Sequence, residues 1–284
     1  MIRPPVRRVL PRTTAVLSLL LGSMSCGTFL KAQPLVSSPT FAVSPAASAP
    51  FLTSARHALH GGIGWRAADG WKLGGMAVLA GVVATADRRG DAWARRAGVQ
   101  ENGTLDALAA AGDAGGTWGA IGVGPAAWVL GRARGDSGTA MLGLRTTEAV
   151  VLTGATIAVI KAIAGRTRPF ASADQSPTHW DLFGGRRSDS TRSFVSAHAG
   201  MSAAAAVTLA AEWRRQGRHG WRTVGPPMVY ALAGVVAGSR VRDRQHWLSD
   251  VVAGAAVGTL GALAVRRWHD AHPRSLVDRL LLAH

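Results

Sequence analysis

Six apolar segments separated by polar loops recur along the chain after residue 55. The segments cover residues 72–86, 116–131, 138–164, 197–213, 223–238 and 247–265. Their uncharged runs of 12 to 18 residues are rich in Ala and Gly and are longer than ordinary strands. The pattern therefore predicts an all-α fold, a helical bundle of about six apolar helices.

Tryptophans at the ends of these segments favour a membrane-embedded bundle, because tryptophan is enriched at both interfaces of a bilayer. They are Trp71, Trp118, Trp128, Trp213, Trp221, Trp247 and Trp268. Gly254 and Gly258 also have the spacing of small residues that lets membrane helices pack closely. Each apolar run is nevertheless shorter than the roughly 20 residues of a full span. A soluble all-α bundle with Ala-rich core helices stays open as the alternative.

Arginines are concentrated in the loops that follow the second, fourth and sixth segments. They are Arg132, Arg134, Arg214, Arg215, Arg218, Arg222, Arg266, Arg267 and Arg274. The positive-inside rule assigns these loops to the cytoplasmic side, so the loops after the third and fifth segments face outward. An exported N-terminus fits this topology only if residues 72–86 do not cross the membrane. We therefore expect five crossings and one interfacial or partly inserted helix.

The regions outside the bundle have different compositions. Residues 1–33 combine arginines, an apolar run and small residues, which is typical of an export signal, although an uncleaved anchor or a lipoprotein at Cys26 stays open. Residues 34–55 are rich in Pro, Ser and Ala and predict a disordered linker. The bundle then covers 56–270, and 271–284 is a candidate amphipathic tail. These features predict a bacterial inner-membrane protein with its site facing the periplasm, or else a soluble periplasmic protein.

Charge and cysteine content limit the possible partners. The net charge of +16 is compatible with nucleic acid, anionic lipid or a phosphorylated ligand. An export signal and arginines scattered over loops argue against a nucleic-acid-binding protein, which would concentrate them in a basic groove with aromatic residues. A single cysteine excludes an internal disulfide and a cysteine-based metal site. We expect neither a metal nor another cofactor.

The stretch from Ser239 to Asp250 holds the first candidate chemistry. His246 and Asp250 are four residues apart, so on one helix they would share a face. Asp250 could then orient the imidazole of His246, as the acid does in a catalytic triad. Arg240 lies just upstream and could hold an anion. A chance pair at the start of a surface helix would look the same.

Two further stretches border the same outward side. Lys161 and Arg168 stand about two helical turns apart at the end of the third segment, where Pro169 is expected to end the helix. Two cations there suit a phosphate, although lysine and arginine also extend to the interface at a membrane edge without binding anything.

The fourth segment opens with Ser196, Ala197 and His198. Ser196 is a plausible helix N-cap, and free backbone N–H groups after it would attract an anion. His198 at that position could donate a proton, although a capping serine and a solvated histidine would look the same.

Together the three stretches read Lys-x6-Arg-Pro, Ser-x-His and Ser-Arg-x5-His-x3-Asp, in this order. This arrangement resembles the type 2 phosphatidic acid phosphatase and vanadium haloperoxidase superfamily over residues 138–265. The second motif usually reads Pro-Ser-Gly-His, and here Val195 and Ala197 replace the proline and the glycine. Ala197 would be strained if its position requires a positive φ, and harmless if the helix simply begins there.

The resemblance implies a helical bundle with the active site at one end, and a metal-free phosphatase that forms a phosphohistidine. It implies a nucleophilic His246 oriented by Asp250, with His198 protonating the leaving oxygen. It also implies five ligands of the phosphoryl group: Lys161, Arg168, Arg240, Ser196 and the backbone N–H of Ala197.

Physical chemistry agrees with these roles. Three cations and convergent N–H groups would stabilise the charge on the phosphoryl oxygens. A neutral His246 and a charged His198 predict a bell-shaped pH profile. A lipid phosphate or pyrophosphate is the expected substrate in a membrane. A soluble periplasmic acid phosphatase and a vanadium-dependent haloperoxidase of the same superfamily are the alternatives.

Overall fold

The computed structural model describes residues 67–217 and 219–273. The predicted signal or anchor over 1–33 and the predicted linker over 34–55 lie outside the described residues. The candidate tail over 271–284 also lies outside them from residue 274 onward. These three predictions therefore stay predictions.

Helices make up the described part of the chain, which contains no strand, and the predicted all-α fold is confirmed. The helices are α1 (Ala67–Ala84), α2 (Asp87–Ala94), α3 (Ala97–Gln100), α4 (Gly103–Ala114), α5 (Ala120–Ala133), α6 (Ser137–Ala164), α7 (Ala197–Gln216), α8 (His219–Arg242) and α9 (Leu248–Ala271). A π-helical turn over Gly115–Gly119 joins α4 to α5. The loop between α6 and α7 contains only short 3-10 turns, at Pro169–Ala171, Gly184–Arg186 and Asp189–Thr191.

The six predicted segments coincide with α1, with α5 and the π-helical turn before it, and with α6, α7, α8 and α9. Among the described residues, only α6 and α9 are long and apolar enough to cross a membrane, and α1 holds a shorter apolar stretch over Gly70–Ala84. Six apolar helices of membrane-spanning character are therefore not confirmed. Two such helices are weak support for a membrane location, because core helices of soluble proteins have the same character.

Helix α7 lies at the centre of the bundle and packs against α6, α8 and α9. Its buried face is largely alanine, so neighbouring backbones approach it closely. Gly254 and Gly258 of α9 face the start of α7, where a Cβ on either would collide with a backbone oxygen, of Ser196 and of Gly200 respectively. The close packing predicted from their spacing is therefore present between α9 and α7.

Large apolar side chains cover much of the outer surface of the bundle. They include Trp71, Val78, Leu79, Val82, Trp118, Val151, Val159, Trp221, Val224 and Leu232, with Trp71 83% exposed. An apolar surface of this extent is typical of contact with lipid or with another apolar partner. Trp247 is different, because it is 1% exposed and donates its indole N–H to the backbone oxygen of Thr167 at 2.8 Å. Its assignment to an interfacial belt was wrong.

Replacement of Gly258 by alanine should destabilise the bundle, because the added Cβ collides with backbone that cannot move independently. We expect a loss of about 1–3 kcal/mol, which is typical of overpacking, as measured by thermal unfolding of the purified protein. Gly234→Ala in α8 is the matched control, since nothing lies within 4 Å of its added Cβ. It should be neutral or stabilise by up to about 1 kcal/mol through helix propensity. Equal stability of the two variants would contradict the close α7–α9 packing.

Candidate active site

The turn between α8 and α9 places His246. Helix α8 ends at Arg242 and α9 begins only at Leu248, so His246 lies outside both helices. Arg244 adopts a left-handed backbone (φ 55°), and its guanidinium donates to Asp91 of α2 and to the backbone oxygen of Pro169, both at 2.8 Å. The expectation that His246 and Asp250 share one helix was therefore wrong, although the two side chains still meet.

Asp250 lies behind His246 and is fully buried. Its Oδ2 is 3.8 Å from Nδ1 of His246, which is longer than a hydrogen bond. The same Oδ2 accepts hydrogen bonds from Ser193 Oγ at 2.5 Å and from the backbone N–H of Trp247 at 2.9 Å. Nδ1 of His246 has no hydrogen-bond partner within the described part of the chain. A movement of about 1 Å would therefore give Nδ1 an acceptor in Asp250.

Burial decides the protonation state of His246. Desolvation is the main cause that lowers the pKa of this imidazole to about 4; the neighbouring charges of Lys161 and Arg168 act in the same direction, and Asp250 opposes them. His246 is therefore neutral at pH 7, which is the state that a nucleophile requires.

The second stretch begins α7 as its sequence suggests. Ser196 is the N-cap and accepts a hydrogen bond from the backbone N–H of Ala199 at 3.4 Å. Ala197 is the first helical residue, so it does not need a positive φ and no strain follows from replacing glycine there. His198 is the second helical residue, and its imidazole lies against the C-terminal end of α4, described next.

Asp113 of α4 meets both His198 and Arg240. Its Oδ1 lies 2.9 Å from Nη1 of Arg240 and 3.4 Å from Nε2 of His198, while Thr117 Oγ1 lies 3.1 Å from the same Nε2. The second nitrogen of Arg240, Nη2, contacts Asp243 at 3.3 Å. Arg240 and His198 therefore come from different helices and share one exposed carboxylate.

The first stretch bends sharply after α6. The helix ends at Ala164, and Gly165 follows in the left-handed region (φ 60°), four residues before the proline that was expected to end it. Lys161 lies in the last turn of α6 and donates to the backbone oxygen of Arg192. Arg168 is extended, as expected before a proline, and donates to Asp189 Oδ1 at 3.0 Å and to Gln245 Oε1 at 2.7 Å.

One cavity of about 360 Å³ collects most of the predicted site residues. Six of them line it, and Arg192, Asp189 and Gln245 line it with them. The six are Lys161, Arg168, Ala197, His198, Arg240 and His246. Ser196 and Asp250 do not line the cavity, because both are buried behind its wall. Four cationic side chains and two imidazoles therefore surround a space that fits a phosphoryl group and part of its substituent.

Several residues of the site escaped the sequence reasoning. Arg166 and Ser193 stand inside the inspected stretches, but nothing in their spacing indicated that both contact Asp250. Asp113 and Asp87 belong to helices distant in sequence from all three motifs, so no local signal could have found them. Within the described residues, no group of three or more His, Cys, Asp or Glu side chains could hold a metal ion.

Comparison with known proteins agrees with the motif assignment. The family model described as PAP2 superfamily matches residues 143–274, which begin within α6 and include all three motifs. No curated protein and no solved structure matches the chain significantly. Members of this superfamily are phosphatases that act on phosphate esters. The matched region contains every residue that lines the cavity except Thr117, and residues 143–274 of this chain belong to the PAP2 superfamily.

Proposed function

We propose that this protein is a metal-independent phosphatase that hydrolyses a phosphomonoester or pyrophosphate, of a lipid, through a phosphohistidine intermediate. The observation that carries the proposal is one cavity in which a neutral, buried His246 lies with four of the five predicted phosphate ligands and His198. Superfamily membership supports phosphatase activity in general. The lipid substrate and the intermediate are our inferences.

Positively charged side chains bind the phosphoryl group of the substrate in this proposal. Lys161, Arg168 and Arg240 approach the cavity from α6, the following loop and α8, so their charges converge on the phosphoryl oxygens. The backbone N–H of Ala197, at the start of α7, adds a donor that has no partner inside its own helix. Ser196 acts indirectly in this scheme, since its hydroxyl caps α7 and stays behind the wall.

The chemical steps divide between the two histidines. Nε2 of His246 attacks phosphorus while the bond to the leaving oxygen breaks, and His198 gives that oxygen a proton. Asp250 accepts the hydrogen bond of Nδ1–H and stabilises the positive charge of the phosphorylated imidazole. Water then attacks phosphorus, His198 takes its proton, the P–N bond breaks, and inorganic phosphate leaves with His246 neutral again.

An apolar cavity supports a lipid substrate. It measures about 560 Å³ and lies between α1, α6 and α9, where Leu73, Ala80, Ile160, Phe194 and Val257 are among its lining residues. Phe194 and Val195 border this cavity, and Ala197 and His198 border the phosphate cavity, so a five-residue segment separates the two. The exposed apolar surface of α1 adjoins the apolar cavity.

A membrane location with the site facing the periplasm follows from the same proposal. Helices α6 and α9 supply two spans, and the basic loops define the cytoplasmic side. A soluble periplasmic acid phosphatase is the competing form, and release of the protein from cells without detergent would decide for it.

Removal of either histidine should abolish turnover. We expect His246→Ala to lose phosphate release by on the order of 10³-fold or more, because no other group in the cavity replaces the nucleophile. His198→Ala should lose roughly 10²–10⁴-fold through the missing proton donor. His272→Ala is the control, since this exposed histidine stacks on Trp268 beyond the end of α9. Wild-type rates in His246→Ala would contradict the mechanism.

The acidic limb of the pH profile should report His246. Because the pKa of His246 is lowered to about 4, the nucleophile is available above that pH and is lost as the pH falls through it. We expect kcat/KM to decrease roughly tenfold per pH unit below about pH 4, measured as phosphate release with the substrate's own ionisation determined separately. A limb near pH 6.5, the value of a solvated histidine, would contradict a buried neutral nucleophile.

Filling the apolar cavity should separate lipid from soluble substrates. We expect Ala80→Phe to lower kcat/KM for a long-chain lipid phosphate about tenfold, because lost burial of one or two methylene groups has this effect. The rate for a short, water-soluble phosphomonoester should not change. Ala233→Phe is the matched control, since it fills a second apolar cavity, between α4, α7 and α8. An unchanged rate for the long-chain lipid phosphate would contradict binding of its chain in this cavity.

A further inference from the structure

A buried cluster of charges lies behind His246, outside the phosphate cavity. Arg166 donates from Nη1 to Asp250 Oδ1 at 2.5 Å and from Nη2 to Asp87 Oδ2 at 2.8 Å. The side chains of all three residues are at most 4% exposed. Two carboxylates and one guanidinium leave this cluster with one net negative charge when all three are ionised.

The guanidinium of Arg166 is held from every side. Nη1 also donates to Ser249 Oγ at 2.8 Å, and Nε donates to the backbone oxygen of Pro177 at 2.9 Å. The rings of Trp180 and Trp247 lie 5.0 and 5.5 Å from it, within the range of cation–π contact. With so many partners, the guanidinium has one orientation, and so does the carboxylate that it holds.

Asp87 completes the cluster from a separate helix. It is the first residue of α2, and its Oδ1 accepts the backbone N–H of Ser249 at 2.9 Å. Its Oδ2 accepts Ser249 Oγ at 2.6 Å in addition to Arg166. Asp87 therefore anchors Arg166 and the first turn of α9 together, which is the turn that carries Asp250.

We propose that Arg166, anchored by Asp87, is a positioning residue that fixes Asp250 against His246 and sets the charge that the imidazole faces. This inference rests on the proposed function for its role in turnover. By occupying Oδ1, Arg166 leaves Oδ2 as the only oxygen of Asp250 that can face Nδ1. The positive charge of Arg166 also weakens the attraction of Asp250 for a proton on His246, which keeps the nucleophile neutral.

Other charges surround His246 as well, and the test has to hold them constant. They are Asp113 of α4, Lys161 of α6, Arg168, Asp189 and Arg192 of the connecting loop, His198 of α7, Arg240 of α8 and Asp250 of α9. None of these residues is replaced in the Arg166 and Asp87 variants, so the only charges removed are those of the cluster. A change in the titration of His246 in such a variant therefore reports the buried cluster.

The first readout is the pKa of His246, measured by an NMR pH titration of the purified full-length protein carrying ¹³C-labelled histidine. The signal of His246 is identified by its absence in His246→Ala. Arg166→Gln gives the cluster a second net negative charge, so the pKa of His246 should rise by roughly one pH unit. Arg166→Gln combined with Asp87→Asn restores one net negative charge and should return it close to 4. An unchanged pKa in Arg166→Gln would overturn the proposal.

The second readout is the steady-state kinetics of the variants, which separates the positioning of Asp250 from the effect of the cluster's charge on His246. Both Arg166→Gln and the double variant remove the guanidinium that donates to Asp250 Oδ1, so kcat should fall about tenfold in each. The acidic limb of kcat/KM should move only in the single variant, because only that variant changes the net charge of the cluster. Arg166→Lys should keep the limb and recover part of kcat. Arg187→Gln is the matched control, because Arg187 forms an exposed ion pair with Asp181 in the same loop. A loss of kcat with identical limbs in all variants would mean a structural role and overturn the proposal.

Failure of this inference can be distinguished from failure of the proposed function. The NMR titration needs no substrate, so it tests the cluster even if wild type releases no phosphate from any ester. If Arg166→Gln does not fold, Asp87→Asn supplies the test, since it removes one negative charge and should lower the pKa of His246 below 4. A rise in that variant would also overturn the proposal.

Discussion

The buried carboxylate of Asp250 is the interaction on which the arrangement of the site depends. A carboxylate without exposure to water is costly unless donors surround it. Here the donors come from the loop after α6, from the segment before α7 and from the turn before α9, through Arg166, Ser193 and Trp247. Because all three segments must meet to satisfy this one group, the three motifs are brought together by it. His246 lies against the same carboxylate and is placed by the same constraint.

Close helix packing makes this convergence possible. Glycines of α9 let it approach α7 at backbone contact, and the backbone N–H of Ser196 donates to the backbone oxygen of Asp250 at 3.0 Å. The start of α7 and the start of α9 are therefore joined directly. Larger residues at Gly254 or Gly258 would separate the two starts, and with them His198 from His246. The alanine-rich core of α7 serves the same purpose on its other faces.

The site also separates two kinds of charge. Cations face the cavity, where Lys161, Arg168 and Arg240 are each held by an oxygen of the protein. The carboxylates of Asp87 and Asp250 lie with Arg166 behind His246 and do not line the cavity, and Asp189 is the acidic residue that does. The imidazole between them is desolvated by both layers. This arrangement keeps it neutral without removing the positive charge that a phosphoryl group needs.

Sequence alone determined the helical class, the order of the three motifs and the residue types of the phosphate cavity. These follow from local properties: apolar runs of helical length, a serine that caps a helix, and histidine, lysine and arginine at short spacings. Ser196 and the start of α7 at Ala197 were predictable for this reason.

Tertiary structure alone decided where each helix ends and what each charge touches. The left-handed Gly165 ends α6 earlier than Pro169 would, and His246 stands before α9 rather than on it. Asp87, Asp113 and Arg166 form their ion pairs with Arg166, Arg240 and Asp250 across 79 to 127 residues of chain, separations over which sequence spacing carries no information. The roles of Asp87 and Arg166 depend on burial, because a desolvated ion needs a specific partner, and burial is a property of the packed bundle.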